Sequence, residues 1–204
     1  MIALIDYRAG NLTSVRKALT ALQAGFSTPS DPSDLASVSG IIVPGVGHFA
    51  STTNLDEPWR SAILERVTAG TPLLGICVGM QWLFEGSDEA PGVPGLGLMK
   101  GRCLRLEGDA DRQLKVPHVG WNALHPPSTS AARLLAGVPQ GAQVYFTHSY
   151  APPVTDDCAA ITTHGRPFAA AVERGRIFGV QFHPEKSSDA GLQILRNFLE
   201  ECRS

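Results

Sequence analysis

The chain has 204 residues, enough for one full hydrophobic core and short for two. Hydrophobic residues make up 43% and charged residues 18%, and 17 Lys plus Arg against 19 Asp plus Glu leave a formal net charge of -2. Bulk charge therefore gives no pull toward nucleic acid or an anionic membrane. The opening run Met1-Ile2-Ala3-Leu4-Ile5 is broken by Asp6 and Arg8, too soon for a signal-peptide core or a bilayer span. Cys77, Cys103, Cys158 and Cys202 are scattered without a C-x-x-C pair. That usage fits reduced thiols in a cytosolic protein.

In chain order, Ile2 to Ile5 predicts a strand and Gly10-Asn11 a turn. Leu12, Val15, Leu19 and Leu22 predict a helix that stops at Gly25. Gly40 to Val43 predicts a second strand, ending at Pro44-Gly45-Val46-Gly47. Trp59 to Val67 predicts a helix with Ile63, Leu64 and Val67 on one face, ended by Gly70-Thr71-Pro72. Leu73 to Ile76 predicts a third strand, followed by a helix from Val78 to Phe84. This alternation points to βαβ units and a parallel sheet. Gly86 to Gly97 is a Gly/Pro-rich loop. Beyond it, strands are predicted at Leu98 to Leu106, Gln143 to Thr147, Ala159 to Thr163, Phe168 to Val172 and Arg176 to Phe182, with a hairpin turn at Glu173-Arg174-Gly175-Arg176. A closing helix after Ser187-Ser188-Asp189 places Leu192, Leu195, Phe198 and Leu199 on its apolar side. The expected fold is one α/β domain over residues 1–204, a mostly parallel central sheet flanked by helices with an antiparallel β extension.

Gly75-Ile76-Cys77-Val78-Gly79 sets a cysteine between two glycines, after a strand and before a helix. A G-x-nucleophile-x-G turn needs small flanking residues because the nucleophile's backbone is strained and its neighbours crowd it. The helix N-terminus favours thiolate over thiol, and the Val78 N–H points toward the oxyanion of a tetrahedral intermediate. Alone, the motif is also compatible with a buried structural cysteine. Val180-Gln181-Phe182-His183-Pro184-Glu185 supplies a base and its orienter. Pro184 biases His183 toward extended backbone, where residues two apart share a side, so that Glu185 reaches the His183 imidazole. Thiol, imidazole and carboxylate together make a triad that cleaves an acyl bond through a thioester. The remaining histidines, His48, His118, His125, His148 and His164, lack zinc-ligand spacing, and the chemistry calls for no metal and no organic cofactor.

With these segments the chain resembles the class I, triad-type glutamine amidotransferases, and among them the glutaminase subunits of imidazole glycerol phosphate synthases. The resemblance covers nearly the whole chain. It rests on Ile5 to Leu12, Pro44 to Phe49, Gly75 to Gln81, Lys115 to Asn122, Tyr145 to Tyr150 and Gly179 to Ser187. It implies a triad of Cys77, His183 and Glu185. It also implies an oxyanion hole built from Val78 and the Pro44-to-Gly47 loop (Val46 and Gly47), in which a peptide unit flips to present its N–H. Gly47, Gln81, Glu89, Ser149 and Tyr150 are implied to line the glutamine pocket. Composition alone leaves Glu89 equally at home in a solvated acidic loop. Trp121, Asn122, Tyr145 and Lys186 are implied to face the partner, a (β/α)8-barrel cyclase that receives the ammonia. The family usually has glycine where this chain has Arg8, read here as a tolerated loop substitution near that interface. Two rivals stand beside this reading: the glutaminase module of another pathway, such as anthranilate, guanylate or carbamoyl phosphate synthesis, and a non-glutaminase of similar fold.

Overall fold

A computed structural model describes residues 1–9, 12–109, 111, 114–127 and 132–203. The predicted Gly10-Asn11 turn lies outside them. The elements run β1 (Ile2–Leu4), α1 (Leu12–Ala21), β2 (Phe26–Ser27), β3 (Gly40–Gly45), α2 (Glu57–Thr68), β4 (Leu73–Cys77), α3 (Val78–Leu83), β5 (Gly86–Ser87), β6 (Arg102–Arg105), β7 (His118–Ala123), β8 (Gln143–His148), β9 (Tyr150–Ala151), β10 (Cys158–His164), β11 (Arg166–Arg174), β12 (Ile177–Val180) and α4 (Ser188–Glu201). Seven strands form the central sheet in the order β10-β11-β12-β4-β3-β1-β2. β2, β1, β3, β4 and β12 run parallel, while β11 and β10 extend the sheet antiparallel. The expected mostly parallel sheet with an antiparallel extension is what the chain forms. Strands β1, β3 and β4 are buried along their whole length because both faces of the sheet are covered.

Four local expectations need correction. Helix α1 ends at Ala21, and the residue that turns the chain out of it is Gln23, at φ 54°, rather than Gly25. The Ala24 N–H bonds back to the Leu19 carbonyl across that left-handed residue. Pro44 and Gly45 belong to β3, where they pair with Ile76 and Cys77, so only Val46 and Gly47 lie beyond the strand. The strand expected over Leu98 to Leu106 shrinks to β6, because Gly97 and Gly101 take positive φ and the Met99 N–H is spent on the Leu83 carbonyl. Strand β7, finally, has no counterpart among the predicted strands. It buries His118 while Val119 and Trp121 face outward, which inverts the pattern that marks a half-buried strand.

β7 and β8 form a separate antiparallel hairpin, with His118 opposite His148 and Trp121 opposite Tyr145. It docks on the turn after β12: the His183 N–H bonds the Tyr145 carbonyl at 2.9 Å, and the Tyr145 N–H bonds Ser187 Oγ at 2.9 Å. The hairpin thereby carries its residues to the C-terminal ends of β4 and β12, where open α/β sheets hold their ligands. No helix among the described residues is long and apolar enough to cross a membrane.

Candidate active site

Cys77 is the last residue of β4 and the residue from which α3 springs. Its backbone sits at φ 54°, ψ -110°, a conformation that costs a non-glycine residue about 1–3 kcal/mol and persists only where surroundings enforce it. The surroundings are visible. A Cβ on Gly75 would stand 2.6 Å from the Gly79 carbonyl oxygen, and a Cβ on Gly79 would strike the Val43 carbonyl of β3. The two glycines let β3, β4 and α3 close around the cysteine, as the G-x-C-x-G spacing implies. Its sulfur is buried, 4.0 Å from the Thr147 carbonyl and 3.6 Å from Gln181 Nε2.

His183 and Glu185 meet as expected, with Nδ1 2.8 Å from Oε1 and both side chains almost wholly buried. The backbone route differs from the sequence reading. His183 is extended, but Pro184–Lys186 is a single 3-10 turn, so Glu185 reaches the ring by folding back rather than by strand alternation. The Ser187 hydroxyl donates to the His183 carbonyl at 2.6 Å and pins that turn. A buried carboxylate on Nδ1 fixes the imidazole's tautomer and orientation. Burial is the largest single influence on His183 and works against its protonated form. Cys77 and Glu185 together overcome it and raise the pKa from 6.5 to about 10. The other ring nitrogen, Nε2, is buried and makes no hydrogen bond within contact distance among the described residues.

Beside Cys77 lies a cavity of about 120 Å³ lined by Val46, Gly47, Cys77, Val78, Gln81, Glu89, Thr147, His148, Ser149 and Tyr150. Every residue expected to line a glutamine pocket or an oxyanion hole is on this wall. Glu89 is not a freely solvated acid: its Oε2 accepts the Phe49 N–H at 2.8 Å. Gln81 uses its amide nitrogen internally and keeps a buried Oε1 that has no partner among the described residues. Gly47 sits at φ 93°, a left-handed backbone suited to glycine. The Val46 N–H is occupied by the Ala9 carbonyl at 3.3 Å.

The family profile for class-I glutamine amidotransferases matches residues 3–202. The chain belongs to the class-I glutamine amidotransferases. It is 45% identical over 206 residues to the imidazole glycerol phosphate synthase subunit HisH of Moorella thermoacetica, covering 99% of this chain and 95% of that one. It is 43% identical to the HisH subunit of Methanothermobacter thermautotrophicus over the full length of both. Among solved structures, a glutamine amidotransferase matches with a TM-score of 0.76 at 19% identity, covering 100% of this chain and 99% of the other. A putative GMP synthase subunit from Thermoplasma acidophilum matches at 0.70 and 21% identity, covering 99% and 93%. At such identities these two likenesses speak for the fold.

This amidotransferase also presents an outward aromatic face. Trp121 is 51% exposed and Val119 57% exposed, on the same side of β7. The Trp121 ring packs edge-on to Tyr145 across the strand pair at 6.1 Å, and Lys186 Nζ lies 5.8 Å from the Tyr145 ring. Trp121 is thus no core aromatic. Asn122, next in the strand, turns inward and donates to the Thr163 carbonyl at 3.1 Å and toward His118 at 3.3 Å. Sequence reasoning missed Thr147 and His148 as pocket walls. It also missed that His118, His148 and His164 pack together, with the rings of His118 and His164 stacked at 4.1 Å.

Arg8 carries a conformational cost. Its φ is 61° and its N–H bonds Asp6 Oδ1 at 3.0 Å. Glycine at this position needs no strain to turn left-handed, and arginine does.

Proposed function

We propose that this chain is the glutaminase subunit of an imidazole glycerol phosphate synthase, acting in the cytoplasm in histidine biosynthesis. The observation that carries the reading is the buried 2.8 Å His183–Glu185 pair next to a strained elbow cysteine that opens onto a small polar cavity. Glutamine enters with its α-ammonium toward Glu89 and its carboxamide toward Cys77. His183 takes the thiol proton, and sulfur attacks the carboxamide carbon. The oxyanion is held by the Val78 N–H and by a second donor from Val46 or Gly47. His183 returns its proton to the departing nitrogen, which leaves as ammonia, and the glutamyl thioester remains. Water adds to that thioester with His183 as base, the C–S bond breaks, and glutamate is released.

Free ammonia in water at neutral pH becomes mostly ammonium, which is not a nucleophile, so the product needs a dry path into its consumer. The exposed Trp121–Tyr145–Lys186 face is the docking surface in this reading, with the (β/α)8-barrel cyclase as partner, and aromatic anchors suit such a surface. The test is to combine the purified chain with the cyclase and measure glutamate and imidazole glycerol phosphate together. Cys77→Ala should abolish glutamine-driven synthesis and leave synthesis from ammonium salts intact. Glutamine turnover that survives Cys77→Ala would remove the nucleophile assignment. Failure to support the cyclase, with activation of another synthase, would move the chain to another pathway.

A further inference from the structure

The polar side chains around the sulfur form a chain of fixed polarity. The Tyr150 carbonyl can only accept, and it takes the Gln81 Nε2 amide at 2.9 Å and His148 Nδ1 at 2.8 Å. This sets the Gln81 amide with its nitrogen toward Tyr150. The second N–H of that nitrogen goes to Gln181 Oε1 at 3.0 Å. With its oxygen committed to Gln81, Gln181 has its nitrogen on the side of Cys77, where Nε2 lies 3.6 Å from Sγ. Reversing either amide would set oxygen against oxygen or nitrogen against nitrogen. Register explains the meeting: Val180 pairs with Ile76 across β12 and β4, so the residues that follow are Gln181, just past the end of β12, and Cys77, the last of β4. Gln181 is fully buried, and its N–H groups have no solvent to turn to.

We propose that Gln181 is a further catalytic residue of this site, whose side-chain N–H donates to Cys77 Sγ and stabilises negative charge on sulfur. The proposal rests on Cys77 being the nucleophile. The donor acts twice: before attack, when sulfur carries the electron pair that forms the S–C bond, and at thioester breakdown, when the C–S pair returns to sulfur. Hydrogen bonds to charged groups are stronger than neutral ones, and a completely buried donor does not have to be desolvated when the charge appears. Gln181 does not line the cavity, so its contribution is to the sulfur rather than to glutamine binding.

The test removes the donor without placing a charge beside sulfur. Gln181→Met and Gln181→Leu each remove the N–H toward Cys77 at similar side-chain volume. With circular dichroism confirming the fold, iodoacetamide modification of Cys77 at pH 7, read by mass spectrometry, should fall ~10-fold or more, the scale of a lost hydrogen bond to a charged group. Glutamine turnover in the cyclase complex should fall through kcat with KM little changed. Wild-type alkylation and kcat in a folded variant would overturn the proposal and leave Gln181 as a buried link. If neither variant folds, the wild-type chain decides: the Gln181 side-chain amide proton resonances should move on Cys77→Ala substitution, and unmoved resonances overturn the donor role. Failure of the nucleophile reading looks different, as turnover that persists in Cys77→Ala.

Discussion

The Val46 N–H donates to the Ala9 carbonyl at 3.3 Å, although Val46 lines the cavity beside Cys77. A donor that could help hold an oxyanion is thus tied to the loop after β1. The bond is long, and a net hydrogen bond contributes only about 0.5–1.5 kcal/mol. One oxyanion donor is worth ~10²–10³ in rate. A partner that prefers the released loop by a few kcal/mol would shift the population and switch the site on. The expected outcome is slow glutamine hydrolysis by the chain alone, faster with cyclase, and fastest with cyclase plus its substrate or product. Equal turnover in all three conditions would remove the switch.

Glu185→Gln should keep the fold and slow thioester formation strongly, because the neutral amide cannot compensate the imidazolium charge at Nδ1. His183→Ala should be at least as damaging, since members of a triad act as a unit. Pre-steady-state glutamate release separates this from a binding defect. A His183→Ala enzyme at full rate would contradict the mechanism.

What the sequence made legible is local. The cysteine elbow and the His-Pro-Glu segment are contiguous, and their spacing specifies strained backbone and paired side chains. What it concealed depends on register. His118 and His148 are neighbours only because β7 pairs with β8 in one alignment. Gln81 and Gln181 are 100 residues apart and touch because α3 and β12 both lead to the sulfur. Strand β7 escapes a search for half-buried strands because its large apolar residues face outward. Its outward Val119 and Trp121 are the feature on which the proposed docking rests.

Trp121→Ala should weaken association with the cyclase by about 2 kcal/mol or more. Because Trp121 is half exposed and packs its ring edge-on to Tyr145, the isolated chain should keep its melting temperature. Calorimetric titration against a melting curve checks both. A lower melting temperature with unchanged affinity would reassign Trp121 to stability.

Arg8→Gly should stabilise the chain. A left-handed non-glycine residue costs about 1–2 kcal/mol, while the extra freedom of glycine in the unfolded chain returns about 0.5–1 kcal/mol. The net gain, up to roughly 1.5 kcal/mol, corresponds to a rise of up to about 6 °C for a chain of this size. A fall in melting temperature would mean that the Arg8 side chain contributes more than its backbone strain costs.

Stability should also depend on pH. The Tyr150 carbonyl requires a proton on His148 Nδ1, so His148 Nε2, 3.1 Å from His118 Nδ1, must accept. His118 Nε2 in turn accepts from Asn122 at 3.3 Å. Both rings are therefore neutral and in the Nδ1–H form, and adding a proton to either sets donor against donor. Burial pushes the pKa of His118 from 6.5 down to about 4, with His164 adding repulsion. Burial also pushes His148 down to about 3, helped by His118, His164 and His183 and opposed by the bond to Tyr150. An unfolded chain protonates these imidazoles near pH 6.5, whereas the folded chain resists. Below pH 6.5 the unfolded state binds more protons, so stability present at neutral pH falls as pH drops toward about 4 and about 3. His183 runs the other way: with its pKa raised to about 10, its contribution is complete below pH 6.5 and fades as pH rises through about 10. Stability should peak between these limbs. Melting curves from pH 4.5 to 10 trace the peak, and imidazole ¹⁵N shifts assign its acid side. His118 and His148 should still show neutral Nδ1–H imidazoles at pH 5.5. Protonated rings at that pH in folded protein would break the hydrogen-bond assignment from Asn122 to Tyr150.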